Sequence, residues 1–231
     1  MFRFLTAWIR SLSIRRIPMK IIVIGATGRV GSTVVSKLAA RPDIEVYAGA
    51  RHPEKVPAAD NVTPFHIDLH DTKDDIKESL PEAGKLIFTA GSGGKDLLQV
   101  DLNGAVKIMK AAEEKGILRF VMLSSKGSLT PDLFSGKNPS PLANYLIAKY
   151  YADEWLMNNT HLQYTILQPT ALVDKPGSGK VSLGNYTTNE TSIENVAEVL
   201  IGLAEHNSSV GEIIEMSTGN EPIPEAINHL S

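Results

Sequence analysis

Lys20-Ile-Ile-Val-Ile-Gly25-Ala-Thr-Gly28-Arg-Val-Gly31 is the stretch that decides the architecture of this 231-residue chain. Its first half, residues 20–25, is a short apolar run rich in β-branched side chains, the composition of a strand covered on both faces. Its second half opens a helix expected over residues 29–40 and closed by Pro42. Between them, Gly25 permits a tight turn, Gly28 lets an anionic ligand approach the main chain, and Gly31 permits close helix–strand packing. Free N–H groups at the helix start then point at the anion, with Thr27, Arg29 and Val30 in the same turn. The Gly-x-x-Gly-x-x-Gly spacing is weak alone. Between a buried strand and a helix it reads as a diphosphate cradle.

Outward from that stretch the chain alternates between two periods. Further strands are expected at residues 45–50, 62–67, 85–90, 119–124, 163–168 and 212–217, and helices at 73–80, 97–115, 142–158 and 193–205. Strand–helix alternation predicts an α/β fold, a doubly wound parallel sheet with helices on both faces. It forms one domain over residues 19–231 with a small C-terminal substrate-side region. The Pro/Gly/Ser-rich segments 130–141 and 175–184 read as loops, either substrate lids or plain connectors.

Ligands of such sheets collect at the carboxyl ends of the strands. After the second strand, Ala48-Gly49-Ala50-Arg51-His52 holds no acid to bind a ribose 2′-hydroxyl, whereas Arg51 can pair with a 2′-phosphate. This favours NADP over NAD, with Arg29 as a second cation. Asp68 and Leu69 follow the third strand and are expected at the adenine ring. Thr89-Ala90-Gly91-Ser92 follows the fourth, where small residues let a dinucleotide pass close to backbone. His66, Asp68, His70 and Asp71 lack a distant further ligand and read as loop polarity, so no metal is expected.

The composition narrows the classes. Net charge is −3, with 23 Lys and Arg against 26 Asp and Glu, which argues against a nucleic-acid partner. The absence of cysteine excludes disulfide scaffolds, thiolate metal sites and cysteine nucleophiles. Residues 1–18 carry Arg3, Arg10, Arg15 and Arg16 and no acid. They read as an accessory leader or a mis-assigned start ahead of Met19, the other reading being a basic amphipathic segment on an anionic membrane. No secretory signal is recognisable in them, and a cytoplasmic location without membrane attachment is expected.

A second constellation carries chemistry. Tyr145-Leu-Ile-Ala-Lys149 places a hydroxyl and an ammonium on one helix face, and a nearby ammonium favours the phenolate. Tyr145 is then suited to protonate a carbonyl oxygen as hydride arrives, or to deprotonate an alcohol in reverse. Ser125, at the end of the fifth strand, can hold that oxygen by hydrogen bond.

Taken together, GATGRVG, Asp68-Leu69, Ser124-Ser125, Tyr145-x-x-x-Lys149, Thr165-Ile-Leu-Gln-Pro169 and Thr191-Ser-Ile-Glu-Asn-Val-Ala197 resemble the short-chain dehydrogenase/reductase superfamily. The nearest match is its atypical, NmrA-like branch of NAD(P)-binding, Rossmann-fold proteins. The resemblance implies that Lys149 also binds the nicotinamide ribose, that Pro169 adjoins the cofactor, and that Asp101 takes the place of an Asn in the family's proton relay. An Asp cannot donate an amide hydrogen bond, and Gln168 stands where the family often has Arg. The short region after Pro169 leaves little material for a sugar-nucleotide pocket, which argues against a nucleotide-sugar epimerase. The expectation is NADP(H)-dependent hydride transfer with a small carbonyl, quinone or flavin-like substrate. The alternative is an NADP-sensing protein that reports to a regulatory partner. Oligomeric state is not legible.

Overall fold

A computed structural model describes residues 18–137 and 139–230; the leader reading of residues 1–18 lies outside them but for Pro18. The first half alternates as expected: β1 (Met19–Ile24), α1 (Arg29–Ala39), β2 (Ile44–Ala50), β3 (Val62–His66), α2 (Lys73–Ser79), β4 (Lys85–Phe88), α3 (Ala105–Glu114), β5 (Arg119–Leu123), α4 (Ala143–Asn159) and β6 (Gln163–Pro169). The remainder comprises β7 (Ala171–Val173), β8 (Lys180–Leu183), β9 (Glu190–Ser192), α5 (Ile193–Glu205), β10 (Glu212–Thr218), β11 (Glu221–Pro222) and α6 (Ile223–Asn228).

The main sheet has nine strands in the order β11-β8-β10-β6-β5-β4-β1-β2-β3. From β3 to β10 neighbouring strands run parallel, and β8 and β11 close the edge antiparallel. This Rossmann-like sheet reverses its winding between β1 and β4, where a crevice opens outside the carboxyl ends.

The apolar run of β1 is explained by its two-sided burial. Ile21 and Val23 enter one core with Val34 and Leu38 of α1 and Val196 and Leu200 of α5. Ile22 and Ile24 enter the other with Ile108 of α3 and Leu156 of α4. Each such side chain contributes roughly 1.5–3 kcal/mol by leaving water, so a polar residue anywhere in the run would be costly.

The expected parallel sheet is present and carries an antiparallel edge. Two expectations need correction. The loop expected at 175–184 contains β8, whose four residues are too few for periodicity to register beside the glycines flanking them. The expected helix 97–115 begins as a π-helical stretch, Leu97–Gly104, before α3. There Gly104 lies so close to Leu69 that an added Cβ would sit 2.8 Å from the leucine Cβ. No helix among the described residues is long and apolar enough to cross a membrane.

Candidate active site

The turn between β1 and α1 is built as its glycines require. Gly25 has φ +86°, and a Cβ there would lie 2.7 Å from the main chain of Ala90. At Gly31 a Cβ would lie 2.1 Å from the Gly25 carbonyl oxygen. The turn is therefore folded onto both its own helix and the loop after β4. Its amides at Gly25 and Ala26 donate to the Gly49 carbonyl of β2, each at 3.0 Å. Gly28 caps α1 without any side-chain hydrogen bond, so the first N–H groups of this 11-residue helix are uncommitted. By contrast, Thr72 and Ser192 cap α2 and α5 with their hydroxyls. Thr27 is exposed beside the turn, whereas Val30 is buried in the core, leaving its main-chain N–H for a ligand. Arg29 is already partnered: its Nη2 lies 2.7 Å from Asp174 Oδ2, an exposed pair spanning from the glycine turn to the segment after β7.

At the far edge, Arg51 is exposed after β2, and its guanidinium has no ion-pair partner among the described residues. Asp68, just after β3, bears on it electrostatically and is itself held within the protein. Its Oδ1 accepts from the amide (3.0 Å) and ring Nδ1 (2.8 Å) of His70, whose Nε2 reaches Asp96 Oδ2 at 2.6 Å. Burial opposes ionisation of Asp68, yet the His70 donors, with the charges of His70 and Arg51, hold its carboxyl below the ordinary range. His70 is pushed up by its bonds to Asp68 and Asp96 and bridges the loops after β3 and β4. Leu69, expected at the adenine, is buried against Gly104. His66 turns away, its Nδ1 lying 3.1 Å from the Arg51 carbonyl. No group of three acidic or imidazole side chains among the described residues could hold a metal.

The loop after β4 is tied from both sides. Thr89 donates its amide and hydroxyl to the Ile24 carbonyl, at 2.9 and 2.8 Å. The Ser92 amide donates to Asp101 Oδ2 at 3.0 Å, and a Cβ on Gly91 would come within 3.2 Å of Asp101 Oδ1. Asp101 is therefore a buried anchor for this loop. Ala90 and Gly91 stay open beside Gly25, and the Ser92 hydroxyl is buried without a partner. A glycine cradle that any Cβ would fill, uncapped amides and an orphaned hydroxyl fit a dinucleotide.

Helix α4 carries Tyr145 and Lys149. Tyr145 is half-buried, and its hydroxyl has no hydrogen bond to the described residues. One turn on, Lys149 is buried, and its Nζ donates to the Leu123 carbonyl at the end of β5, at 3.0 Å. Of the two serines that follow, Ser125 is half-buried and makes only a 3.4 Å contact with the Lys126 carbonyl. Ser124 is buried in a network that sequence reasoning missed. It and Ser128 donate to Asp153 Oδ2 at 2.5 and 2.7 Å, and Gln168 Nε2 donates to Ser128 at 2.9 Å. The available signal was spacing, since Asp153 lies four residues after Lys149. Gln168, at the family's Arg position, is thus engaged within the protein. Pro169 is buried at the end of β6, its carbonyl accepting from the Lys126 amide at 2.9 Å.

Neighbouring side chains serve the packing. Leu156 is core, while Trp155 is partly buried with the Lys110 ammonium 4.6 Å from its ring centre. Asn61, first residue of an Asn-x-Thr triplet, donates its amide to the carbonyls of Leu38, Arg41 and Ile44 and so closes the end of α1. In the segment 130–141, Phe134 packs on Tyr150 of α4 with ring centres 5.5 Å apart.

Comparisons with known proteins agree with this geometry. A family model described as NAD(P)H-binding matches residues 25–207. The solved structure of the oxidoreductase ylbE from Lactococcus lactis is 39% identical and superposes with a TM-score of 0.87, covering 92% of this chain and 96% of its own. A relative from Bacillus subtilis, described as the uncharacterized sugar epimerase YhfK, is 31% identical over 219 residues, 92% of this chain and 100% of its own length. UPF0659 protein YMR090W of Saccharomyces cerevisiae is 32% identical over 232 residues, 92% and 99% of the respective chains.

Proposed function

The chain belongs to the NAD(P)H-binding family that its residues 25–207 match, an oxidoreductase- and epimerase-like group, and within it we propose an NADP(H)-dependent oxidoreductase of the atypical short-chain type. It transfers hydride to or from a small carbonyl, quinone or flavin-like substrate. The observation that carries this reading is the seat of Lys149. Its buried ammonium is pinned to the end of β5, one helical turn from a tyrosine hydroxyl left without a protein partner.

The residues divide the work by position. The main chain of Gly25, Gly28 and Gly31 and the open amides of α1 hold the diphosphate, and Ala90 and Gly91 let it pass. Bound nicotinamide gives or takes the hydride. Tyr145 passes a proton to or from the substrate oxygen, and Ser125 donates a hydrogen bond to that oxygen. Lys149 binds the nicotinamide ribose on the same helix face as Tyr145.

Arg51 supports NADP over NAD, because no acid at the end of β2 meets a ribose hydroxyl and the guanidinium is uncommitted. Arg29 contributes less than its sequence position suggests, since Asp174 already holds it. Fluorescence titration with NADPH and NADH tests the preference; tighter NADH binding overturns it. Following NADPH oxidation over a panel of small carbonyls, quinones and flavins tests the chemistry, and full activity in both Tyr145→Phe and Lys149→Ala removes the proposed acid.

One observation favours a second reading, a cofactor-sensing protein that signals to a regulatory partner. Asp101 accepts the Ser92 amide, so part of this carboxylate serves to hold the loop after β4. Tight NADP(H) binding, inertness over the panel and capture of a protein partner would together support it.

A further inference from the structure

Tyr145, Lys149 and Asp153 follow one another at four-residue intervals on α4 and so share a face. The third is the least expected. Asp153 is 0% exposed, its Oδ2 takes the hydroxyls of Ser124 and Ser128, and its Oδ1 has no partner. Through Ser128 and Gln168 the same knot reaches β6. Ser124 in turn stands between Leu123, whose carbonyl seats Lys149, and Ser125. A half-satisfied buried carboxyl is an expensive way to fill space that an apolar residue would fill better.

We infer that ionised Asp153 is the positioning residue of this site, locking the Leu123–Ser125 corner and thereby fixing where Lys149 meets a bound nicotinamide dinucleotide. The inference rests on the reading of Lys149 given above. Burial pushes the Asp153 carboxyl up to about 6, against the two serine hydroxyls and the Lys149 charge, with Glu154 adding to the rise. Lys149 and Glu154, both on α4, are the charged groups bearing on it; β5 and the segment after it present hydroxyls. Protonation removes the charge that strengthens the two hydroxyl bonds to Oδ2, and the corner loosens.

The test titrates NADPH into the full chain from pH 5 to 8, with melting curves alongside, for wild type and for Asp153→Asn, Asp153→Glu and Ser128→Ala. Parallel titrations with NADH remove the 2′-phosphate, which itself titrates near about 6. At pH 8 Asp153→Asn is expected to melt no lower than wild type yet bind NADPH about tenfold more weakly, the scale of one hydrogen bond to a charged group. Asp153→Glu recovers part of the loss. Wild-type affinity falls as pH drops through about 6, and Asp153→Asn lacks that component. Ser128→Ala, which removes one donor to the ionised form, moves its midpoint to higher pH. Wild-type affinity and pH profile in Asp153→Asn, or an unmoved midpoint in Ser128→Ala, overturns the inference. Lys149→Met separates the two claims. If it binds NADPH weakly while Asp153→Asn is unaltered, Asp153 alone is wrong. If it binds like wild type, the reading of Lys149 fails and takes with it the route through which Asp153 acts.

Discussion

Helices α1 and α4 both begin at the carboxyl edge of the sheet and both bury a face, yet the two faces differ in kind. α1 buries Val30, Gly31, Val34, Val35 and Leu38; α4 buries Leu146, Ala148, Lys149, Ala152, Asp153 and Leu156. The first helix offers its ligand main-chain amides, so its side chains are free to be core. The second offers side chains, so charge must be carried inside the protein. Raising the Asp153 carboxyl from 3.8 to about 6 corresponds to about 3 kcal/mol against ionisation. Nothing comparable is charged to α1, whose requirement is steric: space where a Cβ would be.

The contrast can be broken most severely at Gly31. Gly31→Val drives a side chain into the Gly25 carbonyl, 2.1 Å from where its Cβ would lie. Overpacking of this kind costs about 1–3 kcal/mol or more, and calorimetry should register no heat with NADPH. On the α4 side, Tyr145→Phe should lower turnover by about 10²–10⁴-fold while NADPH affinity holds, because the hydroxyl acts in proton transfer rather than in binding. Unchanged affinity after Gly31→Val, or unchanged turnover after Tyr145→Phe, would erase the distinction between a backbone site and a side-chain site.

Asp153→Asn sharpens the comparison through stability. An acid whose folded pKa is raised from 3.8 to about 6 adds a cost that is absent below pH 3.8, grows up to pH 6 and is fully present above it. The variant should therefore gain up to about 3 kcal/mol at pH 8 and nothing near pH 4, read from denaturant midpoints at the two pH values. No equivalent pH-dependent gain is expected from Val34→Leu on α1. A smaller effect is expected at Arg51→Ala, which should weaken NADPH by roughly tenfold through loss of a charge-assisted bond and leave NADH untouched. Asp174→Asn should change stability by less than about 1 kcal/mol, because its pair with Arg29 is exposed, but it frees Arg29 and should tighten NADPH slightly.

The first half of the fold was legible because its signals are local. A doubly buried strand is a continuous apolar run, and β1 to β6 are each found within two residues of where the sequence placed them. The glycine turn was legible for the same reason, its requirement being written in three residues. The edge strands β8 and β11 were not, since they are short and pair across the chain. In the site, Tyr145 and Lys149 were readable from helical spacing, but the partners of Asp101, Arg29 and Gln168 were not. Each is fixed by a residue brought in from another loop or element: Ser92, Asp174 and Ser128.

Periodicity and glycine spacing alone determined an α/β sheet with a phosphate-binding turn after its first strand, because both depend on neighbours within one or two turns of chain. Which serine is buried, which arginine is left unpaired and which carboxylate sits dry behind Lys149 were decided only by tertiary packing. Burial and hydrogen-bond partners belong to distances in space, and the strands that bring Ser124, Gln168 and Asp153 together are separated by whole helices in sequence.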